Sequence, residues 1–270
     1  MAVTERARRE APESLRVFHP TVVAVPSLRT TRDSASSRLC TVRAADSDGH
    51  RSSANILVDR MYAWRGYGIA QGIAANRDQN GITLLATERD STVGTLSVGF
   101  DHASGLMVDE LFPDEAEHMR LDGAVLCEFT KLAVDRSSQS KAVLASMFHM
   151  AFLYAHEIHR CDRIVIEVNP RHVRYYERML GFVVRGSERN NLRVNAPAVL
   201  LSLELSHARR QIDRFGGQPG LASAERSLYP YFFSHAEELG IVRRLLNDSH
   251  ELRALVPAGH AHRAPLNLRP

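Results

Sequence analysis

Apolar positions along this chain change their spacing from segment to segment, and the changes mark out elements. The first fifty residues are rich in Arg, Ser, Thr and Asp, with one short apolar run, Val22 to Val25, ending at Pro26. That pattern predicts a mostly disordered arm over 1–50 with room for one edge strand. From residue 51 the pattern tightens. Ile56, Leu57, Met61 and Trp64 are spaced as on one face of a helix over 55–65, and Gly66 and Gly68 allow a break. Ile82 to Ala86 and Val93 to Phe100 read as a hairpin turning at Asp90–Ser91. Pro113 to Arg120 reads as a helix whose Asp114, Glu115 and Glu117 suit a helix start.

Cys127 to Val134 reads as a strand, and Ser137 or Ser138 can cap a helix running from Lys141 to His156. Arg163 to Val168 is a nearly continuous apolar strand, stopped by Asn169–Pro170. Val173 to Leu180 is a helix that Gly181 terminates. Val199 to Leu205 is a last strand. Strands joined by helices predict an α/β sheet with parallel neighbours over 51–205, centred on 127–134 and 163–168. Residues 206–270 read as a basic, less regular extension with one helix over Ser234 to Asn247 and a frayed end.

Composition adds limits rather than a function. The chain has 270 residues, 44% hydrophobic and 24% charged, which excludes wholesale disorder and a collagen-like chain. The formal charge of +3 is too small to mark a nucleic-acid binder. Three widely spaced cysteines, Cys40, Cys127 and Cys161, make no CxxC pair, so neither a disulfide framework nor a cysteine-rich zinc site is expected. His156-Glu157-Ile158-His159 lacks the zinc-protease spacing, and no metal site is expected. No apolar run reaches the length of a membrane span, and the charged N-terminus carries no secretory signal. The expected location is cytoplasmic. All but Lys131 and Lys141 of the 34 basic residues are Arg. Coding bias explains the rarity of Lys; both lysines nevertheless fall in one strand-to-helix segment.

Motifs carry the chemistry. VNPRHVRYYERMLGF (168–182) resembles the last motif of the GNAT acyltransferases: a strand ending in Asn (Asn169), a helix carrying Tyr, then Gly-Phe. The resemblance implies that a Tyr protonates the leaving thiolate. Tyr176 stands five residues before Gly181 and Tyr175 six, where the family has four. Members using coenzyme A carry a glycine-rich loop whose backbone N–H groups hold the pyrophosphate. The matching stretch here, RSSQSKAVL (136–144), has no glycine. Ser137, Ser138 and Lys141 suit a single phosphate, as in the phosphopantetheine arm of an acyl carrier protein. No permanently bound cofactor is expected.

LCEFTKLAVD (126–135) resembles the Glu-x-x-Arg strand of the acyl-homoserine-lactone synthases, with Glu128 at the Glu and Lys131 at the Arg. VGTLSV and DELFPDE follow the same pattern, with Ser97 where those synthases carry Arg. Over roughly 51–205 the chain looks like the N-acyl amino acid synthases of the FeeM type. The blocks are MYAWRGYG (61–68), GITLLAT (81–87), GTLSVGFDHASGLMVDELFPDE (94–115), LCEFTKLAVD, SMFHMAFLYA (146–155), IEVNPRHVRYYERMLGF (166–182) and RVNAPAVLL (193–201).

The resemblance implies a GNAT-like mixed central sheet flanked by helices. It also implies transfer of a long-chain acyl group from acyl carrier protein to an amino acid. Glu128 is then the base that takes the proton of an acceptor amine, which is mostly protonated at neutral pH. Alternation puts Thr130 and Leu132 on its face and Lys131 on the other, unless a bulge intervenes. The resemblance assigns Arg65 to the acceptor carboxylate, Lys131, Asp78 and Asn169 to substrate binding, and Tyr176 to the leaving group. Arg171, Arg174 and Arg178 recur on one helix flank and suit an acidic carrier protein. A coenzyme A-dependent N-acetyltransferase, a homoserine-lactone-type signal synthase and a non-catalytic module binding acyl chains or carrier protein remain open at this point.

Overall fold

A computed structural model describes residues 23–25, 40–67, 80–138 and 141–254. One eight-stranded sheet organises the chain, in the order β1-β2-β3-β4-β5-β6-β8-β7. Its strands are β1 (Val23–Val25), β2 (Cys40–Ala44), β3 (Gly81–Glu88), β4 (Ser91–Phe100), β5 (Leu126–Val134), β6 (Arg163–Val168), β7 (Val183–Asn191) and β8 (Ala196–Glu204). Among the described residues six α-helices flank it: α1 (Asp48–Trp64), α2 (Pro113–Leu121), α3 (Lys141–Phe152), α4 (Val173–Leu180), α5 (Leu205–Phe215) and α6 (His235–Ala254). This is the mixed sheet flanked by helices that the resemblance implies. Among the described residues β5 and β6, the expected strand–helix–strand centre, are the one parallel pair, and the other pairs are antiparallel, so parallel neighbours are confined to that centre.

The folded part begins before residue 51. β2 pairs with β3, and Ser47 caps α1 by accepting from the His50 N–H at 3.2 Å. The hairpin β3–β4 turns at Arg89–Asp90, one residue earlier than the sequence suggested, with φ of 48° and 63°. Two left-handed residues suit the twist of a two-residue hairpin turn. The helix expected over Lys141 to His156 loosens into a π-helical turn at Leu153–Ile158. Gly94 in β4 has a packing reason: a Cβ there would meet Met147 Sδ of α3 at 2.6 Å and Ala86 Cβ at 3.2 Å, so the missing side chain leaves room for Met147 against the sheet.

The main core lies between one sheet face and α3, with Leu84, Leu96, Cys127, Met147, Met150 and Ile164 inside it. The C-terminal region, expected as a less regular, partly helical extension, is helical and belongs to this same core. Leu205, Ala208 and Ile212 of α5 are buried, as are Leu228, Tyr229, Phe232, Phe233, Ile241 and Leu245. A smaller core covers the opposite face. There Val108 and Phe112, leading into α2, pack on Leu126, Val165 and Leu200. Among the described residues no helix is long and apolar enough to cross a membrane.

Candidate active site

The sheet opens at its centre. β5 and β6 pair only through Leu126↔Arg163, Cys127↔Ile164 and Glu128↔Val165, although β5 runs on to Val134. Beyond Glu128 the strands diverge around a cleft of about 120 Å³. Arg65, Lys131, Asn169 and Tyr176 all line it, so the fold brings four of the expected residues into one space. Leu96, Leu132 and Phe148 supply its apolar wall. A second, smaller cavity of about 40 Å³ lies on the β4 side, lined by Glu128, Ser97 and Thr83. Thr130 lines both spaces.

A bulge in β5 sets this arrangement. Thr95 pairs with Ala133 but Ser97 with Thr130, so Leu96 opposes two residues, and Lys131 takes φ of 52°. The extra residue reverses the alternation. Leu132 therefore packs on the main core while Ala133 meets Leu57 and Met61 of α1. The expectation that Leu132 shares the face of Glu128 is thereby corrected.

Glu128 is buried, and its Oε2 accepts the N–H groups of Met107 at 2.7 Å and Val108 at 3.3 Å. Burial, and after it the charge of Glu167, pushes its carboxyl up to about 8. Arg193 and the two N–H groups act against that rise without cancelling it. A carboxyl in this range can take a proton from an amine near neutral pH and release it again.

Glu167, on β6, has no assigned role in the sequence reading. Its Oε2 accepts from Arg193 Nη2 at 2.6 Å and from Asn191 Nδ2. Arg193 Nη1 donates to the Met107 carbonyl at 2.8 Å and to Glu110 at 2.9 Å. One guanidinium thus ties β6 to the turn that holds Glu128. A clue exists in the sequence, since Glu167 interrupts the apolar run Ile164-Val165-Ile166 and Val168. Its partner is not visible there.

Tyr176 meets Phe148 and Phe182 edge-on, at 6.5 and 5.8 Å between ring centres. Burial raises its phenol well above the ordinary value, so it keeps its proton and remains a donor. Tyr175 faces the other way, into an open depression with Lys141, Arg174, Arg178 and Arg226. This separates the two tyrosines that the motif left ambiguous. Arg171 is not part of that depression. Its Nη2 donates to the Tyr67 hydroxyl at 2.8 Å, and its guanidinium lies over that ring.

Asn169 is already engaged as a turn cap. Its Oδ1 accepts the Arg171 N–H and its Nδ2 donates to the Pro197 carbonyl, both at 3.3 Å. Ser138 is buried and its hydroxyl donates to Glu88 at 2.8 Å. Lys141 opens α3 and lines the depression. The expected donor residues Ser138 and Lys141 therefore lie in different surroundings. Asp78 and the side chain of Ser137 fall outside the described residues.

Comparison with known proteins places this geometry. The structure of FeeM, an N-acyl amino acid synthase from uncultured soil microbes, matches with a TM-score of 0.59 at 29% identity, over 63% of this chain and 93% of that one. An N-acetyltransferase from Staphylococcus aureus Mu50 matches at 10% identity, with a TM-score of 0.45 over 62% of this chain and 98% of its own. The acyl-homoserine-lactone synthase LasI matches at 13% identity, with a TM-score of 0.45 over 62% and 91%. No curated protein gives a match. The family model of FeeM, described as an N-acyl amino acid synthase, covers residues 53–204, more than half of the chain, so this protein belongs to the FeeM family of N-acyl amino acid synthases.

Proposed function

We propose that the protein transfers a long-chain acyl group from acyl carrier protein to the amine of an amino acid. The observation that carries this reading is the divergence of β5 and β6 beside Glu128, with Arg65 and Tyr176 in the same opening. A thioester lying between the strands presents its carbonyl carbon to an amine arriving on the Glu128 face. Ionised Glu128 takes one proton from the acceptor ammonium, and the neutral amine attacks. The C–N bond forms and the C–S bond breaks. The leaving sulfur takes a proton from Tyr176, which recovers one from the nitrogen as the amide forms. The net release is one proton, returned to solvent by Glu128.

Arg65 suits the acceptor carboxylate, since its guanidinium presents a fork of donors. The acyl chain starts along Leu96, Leu132 and Phe148. The donor assignment rests on the stretch 136–144, which contains no glycine for close approach of a pyrophosphate. Lys141, Arg174, Arg178 and Arg226 form a basic rim at the start of α3 that complements an acidic carrier. Phosphopantetheine then enters with the donor and leaves with it. A cytoplasmic location is part of the proposal, and three buried free cysteines accord with a reducing compartment.

The test offers the protein long-chain acyl carrier protein, acyl-CoA of several lengths and mixed amino acids, with amide products followed by mass spectrometry. An N-acyl amino acid formed from the carrier donor is the expected result. Amides formed only from short acyl-CoA would overturn the donor assignment.

A further inference from the structure

Glu167 stands where the two central strands part, and on their shared face. Glu128 pairs with Val165, so Glu167, two residues further along β6, projects to the same side of the sheet. Its side chain is 8% exposed. Both hydrogen bonds it accepts, from Arg193 and Asn191, end on Oε2. Its other oxygen, Oε1, is buried and has no hydrogen-bond partner among the described residues. The residue lines the cleft together with Thr130 and Tyr176. A buried carboxylate oxygen in that position is a strong acceptor for an incoming donor.

The charges around it point to a cation. Glu128, Glu167 and Glu110 all interact with Arg193. Three carboxylates thus share one guanidinium, while Arg65 and Lys131 line the same cleft as Glu167. Burial raises the Glu167 carboxyl, with Arg193 and Asn191 opposing the rise. A second cation on Oε1 would favour its charged form further.

We propose that Glu167 is the ligand for the ammonium group of the acceptor, holding it beside Glu128 before the proton is taken. The proposal rests on the reading of the protein as an N-acyl amino acid synthase. It divides the work between two carboxylates. Glu167, tied to Arg193, binds the charged amine. Glu128, hydrogen-bonded by the backbone N–H groups of Met107 and Val108, accepts the proton. Arg65 takes the other end of the acceptor. The site then selects amino acids over equally shaped molecules that lack the amine.

The test is a titration of the full-length protein with each of the twenty amino acids and with the matching 2-hydroxy acids, which replace the ammonium by a hydroxyl. Calorimetry should show at least one amino acid binding about ten- to a hundredfold more tightly than its hydroxy acid, as suits one charge-assisted hydrogen bond. In Glu167→Gln that preference should vanish, through weaker amino acid binding with hydroxy acid binding unchanged. Glu167→Asp keeps the charge and should retain a preference. Undiminished preference in Glu167→Gln overturns the proposal. So does equal loss for both ligands, the mark of a merely structural role. Should Glu167→Gln not fold, Glu167→Asp decides: a preserved preference supports the assignment, and wild-type or Asp protein that binds both ligands alike overturns it. Turnover is read separately. Protein that prefers the amine yet forms no N-acyl amino acid leaves Glu167 standing and overturns the synthase reading.

Discussion

Two buried carboxylates in this protein face opposite ways chemically. Glu128, at the smaller cavity beside the cleft, is pushed up to about 8 by burial and by the charge of Glu167. Glu238, on α6, is also buried, yet it is pulled down to about 2. Burial pushes Glu238 up too, but contacts with His149 and Arg209 outweigh it. Arg209 binds both its oxygens, and Nε2 of His149 lies 3.4 Å away. The His149 ring is packed between Phe232 and Phe233 and accepts the Phe233 N–H on Nδ1, while its own pKa is lowered by burial. It stays neutral, so Arg209 supplies the charge compensation. Burial raises both carboxyls, and the opposite outcomes follow from what is placed opposite each. Full pairing with a guanidinium makes a clamp between α5 and α6, with His149 of α3 beside it. Burial beside a like-charged neighbour, only partly opposed by backbone donors and Arg193, makes a carboxyl that exchanges protons near neutral pH.

The contrast can be broken at either end. Glu128→Gln should lower amide formation by about two to four powers of ten while the protein stays folded, measured as kcat/KM. An unchanged rate would remove Glu128 as the base. Arg209→Met leaves Glu238 buried without its cation and should cost about 3 kcal/mol of stability, read from urea unfolding, with little change in the rate of the remaining folded protein. Tyr176→Phe should lower the rate by about tenfold, a smaller effect, because a thiolate leaves with less help than an oxyanion or amine.

The pH dependences should also run in opposite directions. Activity should rise as Glu128 loses its proton, with its acid limb near pH 8. Folding runs the other way at this residue. The raised carboxyl binds its proton in the folded state, so its contribution to stability is present below about pH 4.5 and falls as pH rises through about 8. Glu238 stabilises the fold above about pH 4.5 and loses that contribution as pH falls toward 2. Stability to urea, followed by circular dichroism, should therefore fall with acid in wild type and lose most of this acid dependence in Glu238→Gln. The smallest effect is expected at Ser138. Its hydroxyl is spent on Glu88, so Ser138→Ala should cost about 1 kcal/mol of stability. A large rise in donor KM instead would assign that hydroxyl to the phosphate.

The elements buried on both faces were the easiest to read. β6 lies at Arg163–Val168 and α4 at Val173–Leu180, as the apolar run and the Gly181 stop predicted. β7 escaped notice because it is an edge strand: Val183 and Val184 are exposed, and Arg185, Glu188 and Arg189 fill its surface. α5 was legible but hidden by its charge. Leu205, Ala208 and Ile212 have helical spacing within a basic stretch. The site was readable as a set of residue types, Glu128, Arg65 and Tyr176 among them. Its second carboxylate was not, because the partners of Glu167 lie 24 and 26 residues away, across a sheet turn.

The amino-acid order by itself determined the family blocks, the central strand–helix–strand unit and the position of Glu128 on a strand, because these follow from local spacing and side-chain type. Tertiary structure alone decided three further things. It placed the bulge at Lys131, because register against β4 depends on two strands at once. It raised Glu128 and lowered Glu238, because a carboxyl responds to burial and to charges brought near it from distant parts of the chain. It drew the C-terminal helices into the main core, because apolar residues there bury area only against a surface that the earlier strands and α3 have already formed.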